Sequence, residues 1–201
     1  MRMKLISYVL DLLFPPRPTQ KIVSGLTLED ISALVRQRRI KLDGIGVTVL
    51  LPYKDPRVRA LILEARVNNN RKAQKILGQV VAAHLHKLHP LPIVLIPIPL
   101  SAARKRLKGY SSVERIAEEA LKVERCGGHT YEAGLLVCTC DIPSQNGFAG
   151  INTFKNHDLP HPTYLYMVLD DVAAAGSSFC AAKAALEMAG AIHVSLLSLA
   201  R

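Results

Sequence analysis

The sequence predicts an α/β protein, a parallel β-sheet flanked by helices, with a helical N-terminal appendage over residues 1–47 and a main domain over 48–201. Three observations lead there. Short β-branched runs alternate with helical patterns through the second half of the chain. The 201 residues are 49% apolar and 21% charged, enough for a real core and the length of one ordinary domain with an appendage. A hydrophobic strand ends in Asp170-Asp171 and runs into a small-residue turn, at the carboxyl end where parallel sheets place their ligands.

Taken in order, Leu5, Ile6, Val9, Leu10, Leu12 and Leu13 recur at helical spacing and must stop near Pro15-Pro16. Asp11 interrupts that run and no small-residue cleavage site follows, so it reads as a packed amphipathic helix rather than a leader. Residues 17–25 read as linker. Thr27 with Asp30 forms a variant capping box for a helix expected to reach Gln37. The run Arg36, Arg38, Arg39, Lys41 reads as a solvated face, and Gly44 and Gly46 mark a turn before the strand VTVLLPY. Asp55-Pro56 opens a helix with Val58, Leu61, Ile62 and Ala65 inward, and Asn68-Asn69-Asn70 ends it. Residues 71–88 form another helix, with Ile76, Leu77, Val80 and Val81 inward.

The alternation then becomes regular. PIVLIPI (92–98) is a buried strand, followed by a basic loop and a helix from Ser112 to Val123. GLLVCTC (134–140) is a second strand, and 141–162 reads as a long loop or hood. TYLYMVLDD (163–171) is a third strand, 178–189 a helix, and AIHVSLLSLA (191–200) the last strand.

Charge and cysteines bound the function. Lys plus Arg is 26 against 16 for Asp plus Glu, a net +10 that fits an anionic partner. With 5% aromatics and no Trp, a surface built on base-stacking platforms is disfavoured. Four cysteines are too few for a disulfide scaffold, and no apolar stretch is long enough to span a membrane, so a cytoplasmic location is expected. Cys126, His129, Cys138 and Cys140 could in principle hold zinc, but the Cys-x-Cys spacing fits two small core side chains better.

The segment Asp170 to Ser178 carries the chemistry. Ala174, Ala175, Gly176, Ser177 and Ser178 form a small-residue turn at a helix start, where free backbone N–H groups and the positive dipole end can cradle phosphate. Acids beside such a cradle make sense if they hold ribose hydroxyls or a magnesium ion, since carboxylates facing phosphate alone would repel it. An aspartate cap followed by a packed turn is the alternative reading of the same residues.

This stretch resembles the phosphoribosyl-pyrophosphate signature of type I phosphoribosyltransferases: a hydrophobic strand, two acids, two spacers, Thr-Thr-Gly, any residue, Thr. IPIPLSAARKRLKGYSSVERIAEEAL (96–121) is similar to the ComF-like branch, with its Pro-any-Pro strand end and arginine run. LPYKDPRVRALILEARVNNNRKAQKILG (51–78) and PSQNGFAGIN (143–152) resemble further segments of that branch. The resemblance implies a type I phosphoribosyltransferase-like sheet over about 48–201. It also implies Asp170 and Asp171 on the ribose hydroxyls, with Asp171 handling a proton, and 174–178 around the 5′-phosphate. Leu100, Ser101 and Ala102 would form the pyrophosphate loop, with Arg104 and Arg106 neutralising charge. The implied reaction is displacement of pyrophosphate at ribose C1 with Mg2+, on phosphoribosyl pyrophosphate or a nucleotide. ComF-like proteins are also associated with uptake of single-stranded DNA in competence, which gives a second, non-catalytic expectation.

The departures are specific. Ala174 and Ala175 stand where the family has threonines, and two lost hydroxyl donors would weaken phosphate binding by about 3–6 kcal/mol. Gly109-Tyr110-Ser111-Ser112 replaces Gly-Phe-Asn-Gln, and residues 15–45 lack the cysteines of a zinc ribbon.

Overall fold

The computed structural model describes residues 16–88, 92–123, 129–138, 151–153 and 164–201. The expected helix over 5–13, Cys126, Cys140 and most of the expected hood lie outside them.

Among the described residues six strands form one sheet: β1 (Arg38–Leu42), β2 (Ile45–Leu51), β3 (Ile93–Pro97), β4 (Thr130–Tyr131), β7 (Leu165–Val172) and β8 (His193–Ala200), ordered β1-β2-β8-β7-β3-β4. Only β1 and β2 pair antiparallel; every other neighbour is parallel. The mainly parallel α/β architecture is thus the one the sequence predicts. β5 (Leu136–Cys138) and β6 (Ile151–Thr153) make a separate antiparallel ribbon, so the 134–140 run does not join the parallel sheet as expected.

Strand alternation sends side chains to two cores. Ile93, Leu95, Met167, Leu169, Leu197 and Leu199 pack beneath α3 (Pro56–Val67), α4 (Arg71–Leu85) and α6 (Ser112–Val123). Val94, Ile96, Tyr166, Val168 and Leu196 face α7 (Ser177–Met188) on the other side. Helices cover both faces because a parallel sheet is apolar on both. Where α4 and α6 cross, a Cβ on Gly78 would meet the Glu119 Cβ at 2.6 Å, so only glycine permits the approach.

Three expectations are corrected. Residues 17–25 are not linker: α1 (Pro18–Gly25) starts there, with Pro18 in the first turn, where a missing N–H does no harm. The helix capped by Thr27 and Asp30 forms as expected, but α2 (Leu28–Ser32) stops early because the Arg36 N–H joins the Leu50 carbonyl at 2.8 Å and draws the chain into the sheet. The basic stretch after β3 is a short helix, α5 (Ala102–Lys108), rather than a loop. The Arg38 to Lys41 segment is edge strand β1, joined to β2 by Asp43-Gly44, both at positive φ (46° and 84°). No helix among the described residues is long and apolar enough to cross a membrane.

Candidate functional site

The site lies at the carboxyl ends of β3 and β7, where the chain leaves the sheet for α5 and α7. Val168 and Leu169 carry β7 through the core, and the next two residues are acids. By strand alternation Asp170 continues the face of Tyr166 and Val168, toward α7, and Asp171 continues that of Met167 and Leu169, toward α3 and α6. Neither carboxylate is exposed to open solvent. Asp171 is buried and Asp170 is half-buried beside Ser198 of β8, because β7 is one of the two central strands of the sheet.

Burial dominates their chemistry. Desolvation, and next the charge of Asp171, push the Asp170 carboxyl up to about 7, against a smaller pull downward from Arg66. The Asp170 carboxyl therefore exchanges a proton near neutral pH. The Asp171 backbone N–H donates to Asp170 Oδ1 at 2.8 Å, and the Asp171 Oδ2 lies 3.6 Å from the Arg66 Nε in an ion pair.

The turn after β7 is built by a glycine. Gly176 has φ +95°, and a Cβ there would come within 2.7 Å of the Leu42 Cβ at the end of the β1–β2 hairpin. Ala174 and Ala175 are exposed, while Ser177 and Ser178 are half-buried at the start of α7. Gly176 at the N-cap has no side chain to cap this helix, and no side-chain cap is made among the described residues. An anion set there would face backbone donors and the positive end of the helix dipole.

On the β3 side, the Ser101 Oγ caps α5 by accepting the Arg104 N–H at 3.3 Å. Leu100 and Ser101 are half-buried, and Ala102, Arg104 and Arg106 are exposed. Lys108, at the end of α5, has its ammonium pushed down by desolvation and by Arg66, held up by Asp171, and pushed down again by Arg104. The fold thus brings Asp171, Lys108 and Arg104 into one electrostatic neighbourhood. The Lys105 ammonium turns away to Glu114 at 3.5 Å.

Arg66 and Tyr110 escape the sequence reading. Arg66 sits in the last turn of α3, and its carbonyl accepts both Lys108 Nζ at 2.7 Å and the Tyr110 hydroxyl at 2.9 Å. The signal available was a cation in the turn before the Asn68-Asn70 break, which sequence alone does not connect to β7.

The donor set does not suit a divalent ion held by the protein. No three His, Cys, Asp or Glu side chains converge among the described residues, Asp171 is paired with a guanidinium, and Asp170 holds a proton near neutral pH.

No family model and no curated protein matches the sequence. Among solved structures the chain is similar to phosphoribosyltransferases. A hypoxanthine phosphoribosyltransferase from Staphylococcus aureus aligns with TM-score 0.44 and 9% identity, over 65% of this chain and 64% of that one. APRTase from Giardia lamblia, complexed with 9-deazaadenine, aligns with TM-score 0.45 and 18% identity, over 87% and 85%. Adenine phosphoribosyltransferase from Thermoanaerobacter pseudethanolicus gives TM-score 0.40 and 16% identity, over 87% and 99%. The chain thus spans just under two thirds of the length of the staphylococcal enzyme.

Proposed function

We propose that the protein binds a phosphorylated ribose, as phosphoribosyl pyrophosphate or a nucleotide, at the carboxyl end of β7. The observation that carries this reading is an adjacent carboxylate pair, one buried and one half-buried, ahead of a helix N-terminus whose N-cap is glycine. Carboxylates accept from ribose hydroxyls, and backbone amides donate to phosphate oxygens, the two kinds of group that a phosphorylated ribose presents.

In this reading Asp170 and Asp171 accept the ribose hydroxyls, and the 174–178 turn holds the 5′-phosphate through backbone amides and the hydroxyls of Ser177 and Ser178. Leu100, Ser101 and Ala102 line the pyrophosphate position, with Arg104 and Arg106 close by and Lys108 nearer the acids. Proton handling, which the resemblance gives to Asp171, falls to Asp170, whose carboxyl keeps a proton to about pH 7. If the ligand reacts, the bond from ribose C1 to pyrophosphate breaks as an acceptor attacks C1, and cations offset charge on the departing pyrophosphate. In this reading Ala174 and Ala175 offer the 5′-phosphate no hydroxyl donors, so its binding is weaker than with threonines there. The ComF-like assignment belongs to the same proposal.

Calorimetry with Mg2+ and phosphoribosyl pyrophosphate tests it. The native chain should bind in the millimolar range or tighter, and Asp170→Asn/Asp171→Asn should weaken binding at least about tenfold, or 1.4 kcal/mol. Ala174→Thr/Ala175→Thr should tighten it. No heat from the native chain at millimolar ligand overturns the reading.

A second reading, a non-catalytic accessory protein that binds single-stranded DNA, is favoured by the exposed Arg38, Arg39 and Lys41 of edge strand β1. It predicts oligonucleotide affinity falling steeply between about 50 and 200 mM salt and losing slope when those three are neutralised.

A further inference from the structure

The end of α3 is fixed from two sides. From within, Glu64 accepts the Asn68 and Asn70 side-chain amides at 2.9 and 3.3 Å, which sets the turn that follows the helix. From without, α5 and the turn after it reach across. The Lys108 Nζ and Tyr110 hydroxyl both donate to the Arg66 carbonyl, and the Asn69 N–H donates to that same hydroxyl at 3.0 Å. The Lys108 ammonium also lies 5.7 Å from the centre of the Tyr110 ring. A cation and a hydroxyl at the last carbonyls of a helix suit its negative end. The backbone of Arg66 is therefore held at two hydrogen bonds while its side chain extends to Asp171.

We propose that Arg66 is a positioning residue for Asp171, and that Lys108 and Tyr110 form the latch that sets Arg66 against it. This deepens the ribose-phosphate reading and rests on it for its purpose, not for its geometry. Arg66 pairs with Asp171 at 3.6 Å, and its charge pulls the neighbouring Asp170 carboxyl downward. Because Lys108 follows directly on the segment proposed for pyrophosphate, the latch also joins the two halves of the site. The charged groups around the pair are Arg66 from α3 and Lys108 and Arg104 from α5. Across the turn, Asp43 of the β1–β2 hairpin has its Oδ2 3.4 Å from the Cβ position of Gly176, Ser198 of β8 stands in register with Asp170, and α7 begins with Ser177 and Ser178.

Carbon-13 carboxylate NMR on the full chain, without ligand, titrates the pair between about pH 4 and 9. Arg66→Gln should move its neutral-range titration upward by about one pH unit, as loss of a cation at this distance in a partly screened site requires. Arg66→Lys should restore most of the native value. Tyr110→Phe should shift it in the same direction by a smaller amount, since it loosens the latch and leaves the cation. A native titration in both Arg66→Gln and Tyr110→Phe overturns the proposal. Should Arg66→Gln not fold, Tyr110→Phe decides: a shifted titration supports the latch, and a native one overturns it. Calorimetry with Mg2+ and phosphoribosyl pyrophosphate on the same samples separates the two ideas. A native chain that binds no ligand while Arg66→Gln still shifts the pair sinks the ribose-phosphate reading and leaves the positioning role standing.

Discussion

Glu64 and Asp170 are two carboxylates withdrawn from water on elements that pack against each other's core, and the protein treats them in opposite ways. The Glu64 side chain is fully buried, yet it receives both Arg17 guanidinium donors at 3.2 and 3.1 Å, the Thr19 hydroxyl at 2.6 Å, and the amides of Asn68 and Asn70. Desolvation alone would push its carboxyl up, but the bonds from Arg17, Thr19 and Asn70 outweigh it and hold it below the usual range. Asp170 is given one backbone N–H, from Asp171, and a second carboxylate as neighbour, so it rises to about 7. A fully served acid ties α1, α3 and the Asn68–Asn70 turn together. An underserved one holds free energy that a ligand's hydroxyls can release, which is why strained titrating groups mark sites rather than scaffolds.

The largest expected effect comes from breaking the served side. Glu64→Ala removes the acceptor of several charge-assisted bonds and should destabilise the protein by about 3–5 kcal/mol, read as a lower denaturant midpoint. The opposite sign is expected at the other acid. Asp170→Asn keeps the shape, removes the ionisation, and should stabilise the fold at neutral pH by about 2–4 kcal/mol while weakening ligand binding.

The two acids also pull the pH dependence in opposite directions. For Asp170 the folded value lies above the unfolded one, so its contribution is intact below about pH 4 and is lost as pH rises toward about 7. For Glu64 the folded value lies below the unfolded one, so its contribution is present above the unfolded value and is lost as pH falls through the folded one. The stability gap between native and Asp170→Asn chains should therefore open between about pH 4 and 7 and stay constant above, measured by urea unfolding at each pH. A constant gap would erase the contrast between the two acids.

Smaller effects sharpen it. Gly176→Ala leaves both acids alone but places a Cβ at φ +95° against the Leu42 Cβ, and should cost about 2 kcal/mol by thermal unfolding. Asp55→Ala serves as the control acid. Asp55 caps α3 through the Arg57 N–H at 2.9 Å and pairs with the Arg57 side chain at 2.8 Å, so its loss should cost only about 1 kcal/mol.

The contrast also explains what the sequence could and could not show. Runs such as PIVLIPI and TYLYMVLDD announce buried parallel strands because both faces are apolar, and Asp55-Pro56 announces a helix start because its cap and proline are local. The β1 strand RRIKL did not announce itself, since an edge strand is kept charged against unwanted pairing and its inward Ile40 and Leu42 are outnumbered by cations. Pro18 hid α1 by looking like a breaker while standing where a helix tolerates it. At the site, Asp170, Asp171 and the 174–178 turn are contiguous and could be read together. The roles of Arg66 and Tyr110 depend on α3 and the turn after α5 meeting across the end of β7, and the residues concerned are more than forty positions apart in the chain.

The proposed seat for a phosphorylated ribose is the Asp170–Asp171 strand end and the turn after it. Ribose 5-phosphate titrated into the isotope-labelled chain, followed by amide NMR, addresses that claim most directly. The account predicts saturable shifts centred on the amides of 170–178, lost in Asp170→Asn/Asp171→Asn. Shifts confined to the Arg38–Leu42 edge strand, or none at all with millimolar ligand, would contradict it.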